Sequence, residues 1–556
     1  MAGPITPDAQ PWSTMQGRLN HGLLRGLAAM GYEYMTPVQQ KVLTELPSFD
    51  SDCLVQAKTG TGKTIAFLLP ALHSLLAKPS VPRGQIAILI CSPTRELALQ
   101  IAKECNSVTA QLRPGLECHT AYGGTSKDRD LKAFLAGDPK VVVATPGRLN
   151  DYLNDEYVAE KFKDLRTLVL DEADQMLEAG FLVAINEILR RLPAKDIKHW
   201  QGMCYSATIP EKIKSVLPKI LSKQHTHLST VDPNEIPTID LVKQHSVIVP
   251  SISDVYPALW ALLQKEYAAT KSDFKAIVFG CTANGVALMH ALFSSLLQGN
   301  DNIKAFQLQS RLSQANRTRT TNEFKDAKAG IMFASDVIGR GMDFPNVSHV
   351  VQVGLPSNGD QYVHRVGRTA RAGNEGRAII LLTQRESFFL KVNKRLPITP
   401  YPEDFAGPAI ENQAREIEAA FANVDEVTKG KAYQAWLGFN KVFTKQLQLT
   451  NEGLVEQAND YASAMGCPET PMIDKRVVGK MGLKGVRGLN VGLVEHSAPG
   501  GRGGRQGGGG NRNGGGQNGE NSGRIEKNTS GGPHSGSGGG RRGRGRGRGG
   551  RRGQSS

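Results

Sequence analysis

Ala57-Lys58-Thr59-Gly60-Thr61-Gly62-Lys63-Thr64 stands between the apolar Cys53-Leu54-Val55-Gln56 and the helix-length run IAFLLPALHSLL at 65–76. Strand, glycine loop and helix in that order are the context of a phosphate-binding loop. The glycines let backbone N–H groups converge on phosphate oxygens, and a helix N-terminus adds favourable partial charge. Lys63 then reaches the β and γ phosphates of a nucleoside triphosphate, and Thr64 ligates Mg²⁺. Ala57 occupies the place of the general pattern's first glycine, and a glycine-rich turn can also arise for purely structural reasons. The loop therefore needs a partner. Thr167-Leu168-Val169-Leu170 supplies one by delivering Asp171 and Glu172 to the C-terminal end of a strand, the edge where parallel α/β sheets bind ligands. Asp171 suits Mg²⁺, and Glu172 suits polarisation of an attacking water.

Outward from these two motifs, short apolar runs alternate with helix-length segments. They are IAILIC (86–91), KVVVAT (140–145), TLVLDE (167–172), AIVFGC (276–281), IMFAS (331–335), HVVQVG (349–354) and AIILLT (378–383). Such alternation implies parallel sheets covered on both faces. A chain of 556 residues exceeds what one core holds. The aperiodic STVDPNEIPTID (229–240) carries two prolines and reads as an interdomain linker. Beyond residue 386 the pattern turns helical, and Trp436, Phe439 and Phe443 fall at i, i+3 and i+7, a packing stripe.

The formal charge is +15, and the stretch from residue 500 onward contributes +10 of it through eleven arginines and Lys527 against Glu520 and Glu526. A basic tail on a nearly neutral body points to a polyanion, most simply nucleic acid. No apolar face accompanies the charge, which argues against a membrane surface. Gly, Arg, Asn and Ser give that tail no core material, so disorder is expected from 497 to 556. The seven cysteines show no CxxC pair and read as reduced thiols. No apolar run approaches the roughly 18 residues of a membrane span. The start of the chain, with Arg18, Arg25 and Asp8, offers no convincing transit peptide.

With those motifs in hand, residues 31–383 resemble the DEAD-box family of RNA helicases. GYEYMTPVQ (31–39) is similar to the family's Q motif, which makes Gln39 the reader of the adenine edge. The family's usual upstream aromatic would fall near Thr14, whereas the nearby aromatic is Trp12. The resemblance extends the nucleotide site over Ala57, Lys58, Thr59, Gly60, Thr61, Gly62, Lys63 and Thr64. PTREL (Pro93, Thr94, Arg95), Gly123-Gly124 and TPGRL (Thr145, Pro146, Gly147, Arg148) resemble RNA-gripping motifs. DEAD is Asp171-Glu172-Ala173-Asp174, and SAT is Ser206-Ala207-Thr208. The resemblance implies that Asp174, Ser206 and Thr208 couple hydrolysis to RNA release, with His364 relaying nucleotide state.

In the second half, Gln314 and Arg317 resemble a QxxR element that touches RNA. SDVIGRGMD (335–343) is similar to a motif in which Arg340 and Gly341 contact RNA and Asp343 the nucleotide. HRVGRTAR (364–371) then makes Arg368 and Arg371 the arginine fingers, guanidinium forks that stabilise charge on a phosphoryl group in transit. Gln175 and Ser335 depart from the family's usual basic residue and threonine without removing a catalytic atom.

The expected architecture is α/β. It runs from an N-terminal flank (1–30) to a RecA-like domain (31–228), a linker (229–242), a second RecA-like domain (243–385), a helical extension (386–496) and the basic tail (497–556). MIDKRVVGKMGLKGVRGLNV (472–491) resembles the extension of fungal mitochondrial DEAD-box RNA chaperones that assist intron splicing. The implied function is ATP- and Mg²⁺-dependent remodelling of structured RNA by a monomer, in the mitochondrial matrix or alternatively the cytoplasm or nucleus. An ATP-gated RNA clamp with slow turnover is the other reading, and a translocating DNA helicase conflicts with the Q motif and DEAD.

Overall fold

The computed structural model describes residues 8–58, 60–178, 180–209, 211–231, 242–270, 273–299, 302–336, 344–370 and 375–492. Thr59, Arg340, Gly341, Asp343, Arg371, residues 232–241 of the expected linker and the whole basic tail lie outside the described residues.

Seven strands build the first sheet: β1 (Cys53–Gln56), β2 (Ile88–Cys91), β3 (Cys118–Ala121), β4 (Val141–Ala144), β5 (Thr167–Leu170), β6 (Gln201–Ser206) and β7 (Thr226–Ser229). Seven more build the second: β8 (Val242–Val249), β9 (Lys275–Gly280), β10 (Ala305–Leu308), β11 (Gly330–Ala334), β12 (His349–Val353), β13 (Gly376–Thr383) and β14 (Ile398–Pro400). The orders are β3-β4-β2-β5-β6-β1-β7 and β10-β11-β9-β12-β13-β8-β14, the same order twice, with all pairings parallel. The architecture is two RecA-like domains in tandem.

Period-2 alternation explains why the runs quoted above are apolar throughout. In β2, Ile88 and Ile90 enter one core layer while Leu89 and Cys91 enter the other; in β5, Val169 faces the first layer and Leu168 and Leu170 the second. Helices on both faces need both sets. In the first sheet, the strands that no run announced have different compositions. β3 and β7 are sheet edges with the polar sequences CHTA and THLS, and β6, although buried along its length, reads QGMCYS with no β-branched residue.

Two flanking segments fuse with the domains beside them. Leu23 and Leu27 of the helix His21–Ala29 join the first core, and a Cβ on Gly26 would lie 2.0 Å from the Val108 carbonyl oxygen, so only glycine permits that helix crossing. After β14, the helices Glu411–Phe421, Glu426–Asn440 and Asn451–Ala464 share one continuous core with the second sheet, in which Tyr433, Leu437 and Leu454 meet Val278 and Leu292. The Tyr256 and Tyr461 hydroxyls bond across this seam at 2.7 Å. The aromatic stripe packs as expected, with Trp436 5.7 Å from Tyr461 and Phe439 5.3 Å from Phe443, ring centre to ring centre. Cys53, Cys91, Cys105 and Cys204 are buried free thiols, and Cys118, Cys281 and Cys467 are partly buried.

At the end of the second sheet away from the cleft, buried Glu266 accepts from Tyr401 Oη at 2.6 Å, meets His349 Nε2 at 2.9 Å and pairs with Arg377 at 3.1 Å. Burial pushes its carboxyl up, but the His349 and Tyr401 bonds outweigh this and hold it below the usual range. A depressed carboxyl contributes stability above the ordinary Glu value of about 4.3 and loses it as pH falls through the folded value. Glu266→Gln is therefore expected to cost about 1–3 kcal/mol at neutral pH. Calorimetric melting should show the gap to the parent closing below about pH 4.

Candidate active site

The phosphate loop is shaped by glycine. Gly60 and Gly62 have φ of 77° and 89°, and Gly62 precedes the helix Lys63–Ala77 in the left-handed region. A Cβ on Gly62 would lie 2.5 Å from Gln39 Nε2. Gln39 itself is buried; its Oε1 accepts from Thr36 N–H at 2.9 Å, and its Nε2 donates to the Gly62 carbonyl at 3.1 Å. An amide has two donor hydrogens and two acceptor sites, so one of each stays available beside the loop. Lys63, also buried, donates from Nζ to the Ala57 carbonyl at 3.0 Å and so folds back across the loop. Thr61 Oγ1 donates to the Lys58 carbonyl at 2.8 Å.

β5 ends on buried Asp171 and Glu172, and Glu172 holds a left-handed φ of 49° while its N–H donates to Asp171 Oδ1 at 3.0 Å. Burial, and then the Glu172 charge, push the Asp171 carboxyl up to about 7 against the pull of Lys63. A buried carboxyl raised in this way is poised for a cation. A hard divalent ion that takes one carboxylate, one hydroxyl and phosphate oxygens fits Asp171 and Thr64.

Asp174 is the hub of the site. Its Oδ2 accepts from Thr208 N–H and from Thr208 Oγ1, both at 3.1 Å, and its own N–H donates to Ser206 Oγ at 3.2 Å. Ser206 Oγ in turn donates to the Thr208 carbonyl at 2.6 Å. From the second domain, His364 Nε2 comes to 3.9 Å from the same Asp174 Oδ2, both side chains being buried. His364 lies in the last turn of the helix Gly359–Val366, and Arg368 Nε returns to the His364 carbonyl at 3.2 Å. Arg365, between them, makes a bidentate pair with Asp336 at 2.7 and 3.1 Å. Arg365 thus ties the helix to Asp336, the second residue of SDVIGRGMD.

A DEAD/DEAH box helicase family model matches residues 36–216, and a helicase conserved C-terminal domain model matches 258–373. ATP-dependent RNA helicase MSS116, mitochondrial, of Phaeosphaeria nodorum is 58% identical over 488 residues, 88% of each chain. Its Aspergillus oryzae counterpart is 56% identical over 496 residues, 88% of this chain and 77% of that one. This chain belongs to the DEAD-box family of RNA helicases. A solved structure of Mss116p lacking its N-terminal extension and C-tail, bound to single-stranded RNA and AMP-PNP, superposes with a TM-score of 0.76 at 26% identity over 89% of this chain and 99% of that one. A second, with single-stranded RNA and UDP-BeF, gives 0.75 at 26% identity over 87% and 97%. The activity is accordingly that of an ATP-dependent RNA helicase.

The remaining motif residues of this DEAD-box chain divide into open and engaged groups. Thr94 Oγ1 caps the helix Arg95–Thr109 by accepting from Leu97 N–H at 3.3 Å. The Arg95 guanidinium lies against Gly123-Gly124, where a Cβ on Gly124 would sit 2.1 Å from Nη1. Gly147, in the first turn of the helix Pro146–Leu153, has open space where a Cβ would stand. Those helix starts and glycines offer backbone N–H groups to phosphates. Arg148 instead turns inward to the Thr125 carbonyl at 3.0 Å, Thr125 Oγ1 at 3.2 Å and Asp130 at 3.1 Å.

Gln314 and Arg317, expected on RNA, meet the first domain. Gln314 Nε2 donates to Glu96 Oε1 at 3.2 Å, and Arg317 Nη2 pairs with Glu96 Oε2 at 2.6 Å, the two charged side chains being 5% and 9% exposed. Glu96, Asp336 and Arg365 each stand inside a quoted motif, yet the sequence assigns them no role. A charged residue within a motif was the only signal available for them.

Proposed function

We propose that this chain is an RNA chaperone that opens short RNA duplexes and remodels structured RNA by closing its two RecA-like domains around ATP and one RNA strand. The reading rests above all on Asp174, whose single carboxylate oxygen is shared between Thr208 of the first domain and the approach of His364 from the second. A change at the γ-phosphate edge beside Asp171 and Glu172 alters a hub that both domains touch.

In this mechanism Gln39 takes the adenine edge with its remaining donor and acceptor, while the loop from Ala57 to Thr64 cradles the phosphates. Mg²⁺, held by Asp171 and Thr64, would offset phosphate charge. Lys63 leaves the Ala57 carbonyl for phosphate oxygen. Glu172 accepts a proton from the attacking water. Arg368, with Arg371, supplies guanidinium from the facing domain. RNA is gripped through phosphates and 2′-hydroxyls by the helix starts at Thr94 and Thr145 and by Gly123-Gly124, which gives little sequence selectivity. Hydrolysis resets the clamp. The names of the two fungal relatives support a mitochondrial site of action, and the resemblance of residues 472–491 to the extension of splicing chaperones puts intron splicing among its tasks; imaging the C-terminally tagged full-length protein tests the compartment.

Steady-state ATP hydrolysis is expected to rise on addition of single-stranded RNA, and displacement of short RNA duplexes should exceed that of matched DNA duplexes. Hydrolysis indifferent to RNA would leave an ATP-gated clamp, and equal DNA displacement would leave a DNA helicase. Removing residues 497–556 should preserve hydrolysis stimulated by short oligonucleotides while weakening action on large folded RNA, since the arginines add nonspecific phosphate contacts and raise effective concentration.

A further inference from the structure

The second sheet carries a cavity at the edge where the first sheet carries its nucleotide site. Because the two strand orders match, β8 stands in the place of β1, and Pro250-Ser251-Ile252-Ser253 after it stands in the place of the phosphate loop. Gly354 follows β12 as Asp171 follows β5, and Thr383 ends β13 as Ser206 ends β6. Ligands settle at this edge of a parallel sheet. Here the helical extension roofs it, leaving an inner chamber of about 60 Å³ and an outer one of about 450 Å³. Ile252, Glu386, Trp436 and Asn440 line both, and the rings of Tyr256, Phe439 and Tyr461 wall the inner one. The charge is the reverse of a phosphate site. Residues 250–254 contain neither glycine nor lysine, and the charged lining is Glu386 and Asp460 against Arg385 alone.

Glu386 is only 8% exposed. Its Oε2 accepts from Thr383 N–H at 2.9 Å and from Thr383 Oγ1 at 3.0 Å, which caps the turn that starts there. Its Oε1 accepts no hydrogen bond among the described residues and lies 3.5 Å from where a Cβ on Gly354, another wall of the inner chamber, would stand. Burial pushes the carboxyl up against the pull of both Thr383 bonds. A cation seated at Oε1 would offset that burial, and aromatic walls attract organic cations through their ring faces. We propose that the two chambers bind a linear diamine or polyamine, with one ammonium on Glu386, the methylene stem along Trp436 and Ile252, and a second ammonium at Asp460. The inner chamber has room for about four to six water-sized groups, enough for an ammonium and its first methylenes and too little for a nucleobase. Asp460 is exposed on the helix Asn451–Ala464, at the outer chamber. A bound diamine therefore bridges the second sheet and the extension.

The test is calorimetric titration of the full-length protein, free of RNA and nucleotide, with putrescine and, as a one-charge control, n-butylamine. The variants are Glu386→Gln, in which the amide oxygen can still cap Thr383, and Asp460→Asn. The parent should bind putrescine at a single saturable site. Glu386→Gln should weaken both amines by about 10–100-fold, the loss expected when a hydrogen bond to a charged group is removed. Asp460→Asn should weaken putrescine by about 2–5-fold, as an exposed ion pair does, and leave n-butylamine unchanged. No saturable binding of putrescine by the parent overturns the site, and so does parent-like binding by Glu386→Gln. If Glu386→Gln melts well below the parent, the exposed Asp460→Asn carries the test, and putrescine binding equal to the parent's then overturns the proposal.

Discussion

Glu172→Gln is expected to hold ATP and RNA together in a long-lived complex while ATP turnover falls by roughly 10²–10⁴-fold, the usual loss when a positioned general base is removed. The amide keeps the shape of the side chain, and the left-handed φ of 49° at this position belongs to the backbone after β5, so the substitution disturbs chemistry more than fold. It also removes one of the charges that push the Asp171 carboxyl up. Asp171 should then ionise more readily, which favours the bound cation and with it the bound nucleotide. Phosphate release measured with and without RNA, beside RNA retention in a filter assay with ATP, separates the two effects. Parent-like hydrolysis by the variant would remove Glu172 from the role of base.

The parts of this fold that could be read along the chain are those where one residue type serves one local need. Gly62 must be left-handed and without a Cβ, β2 and β5 must be apolar on both faces, and strand ends must present their acids at the cleft. The parts that could not be read depend on partners far away. β6 is buried along its length between β1 and β5 yet contains nothing β-branched, so its composition does not announce it. The extension beyond residue 386 is helical, as its pattern implies, but the pattern does not reveal that these helices complete the core of the second sheet through Tyr433 and Leu454. Arg148, Gln314 and Arg317 sit in motifs that the family resemblance assigns to RNA. Their side chains lie on Asp130, Thr125 and Glu96, and Gln314 is 218 residues from its partner. No periodicity encodes a contact of that kind.

Glu96 and Arg317 carry the second large effect. Removing one member of a buried ion pair strands the other and costs about 3–5 kcal/mol. Here that cost falls on the closed arrangement alone, because the two side chains belong to different domains and each can return to water when the domains part. Arg317→Ala or Glu96→Ala should therefore reduce the closed population by roughly 10²- to several times 10³-fold, at about 1.4 kcal/mol for each factor of ten. RNA affinity in the presence of a non-hydrolysable ATP analogue should fall accordingly, while ATP-independent RNA binding changes little. The two substitutions also discriminate between roles for Arg317. If it were mainly an RNA ligand, removing the neighbouring carboxylate in Glu96→Ala would free the guanidinium and strengthen binding. If it joins the domains, Glu96→Ala weakens binding as Arg317→Ala does, and the exchanged pair Glu96→Arg with Arg317→Glu restores part of the loss. Stronger RNA binding by Glu96→Ala, measured by fluorescence anisotropy with the analogue present, would return Arg317 to the RNA surface.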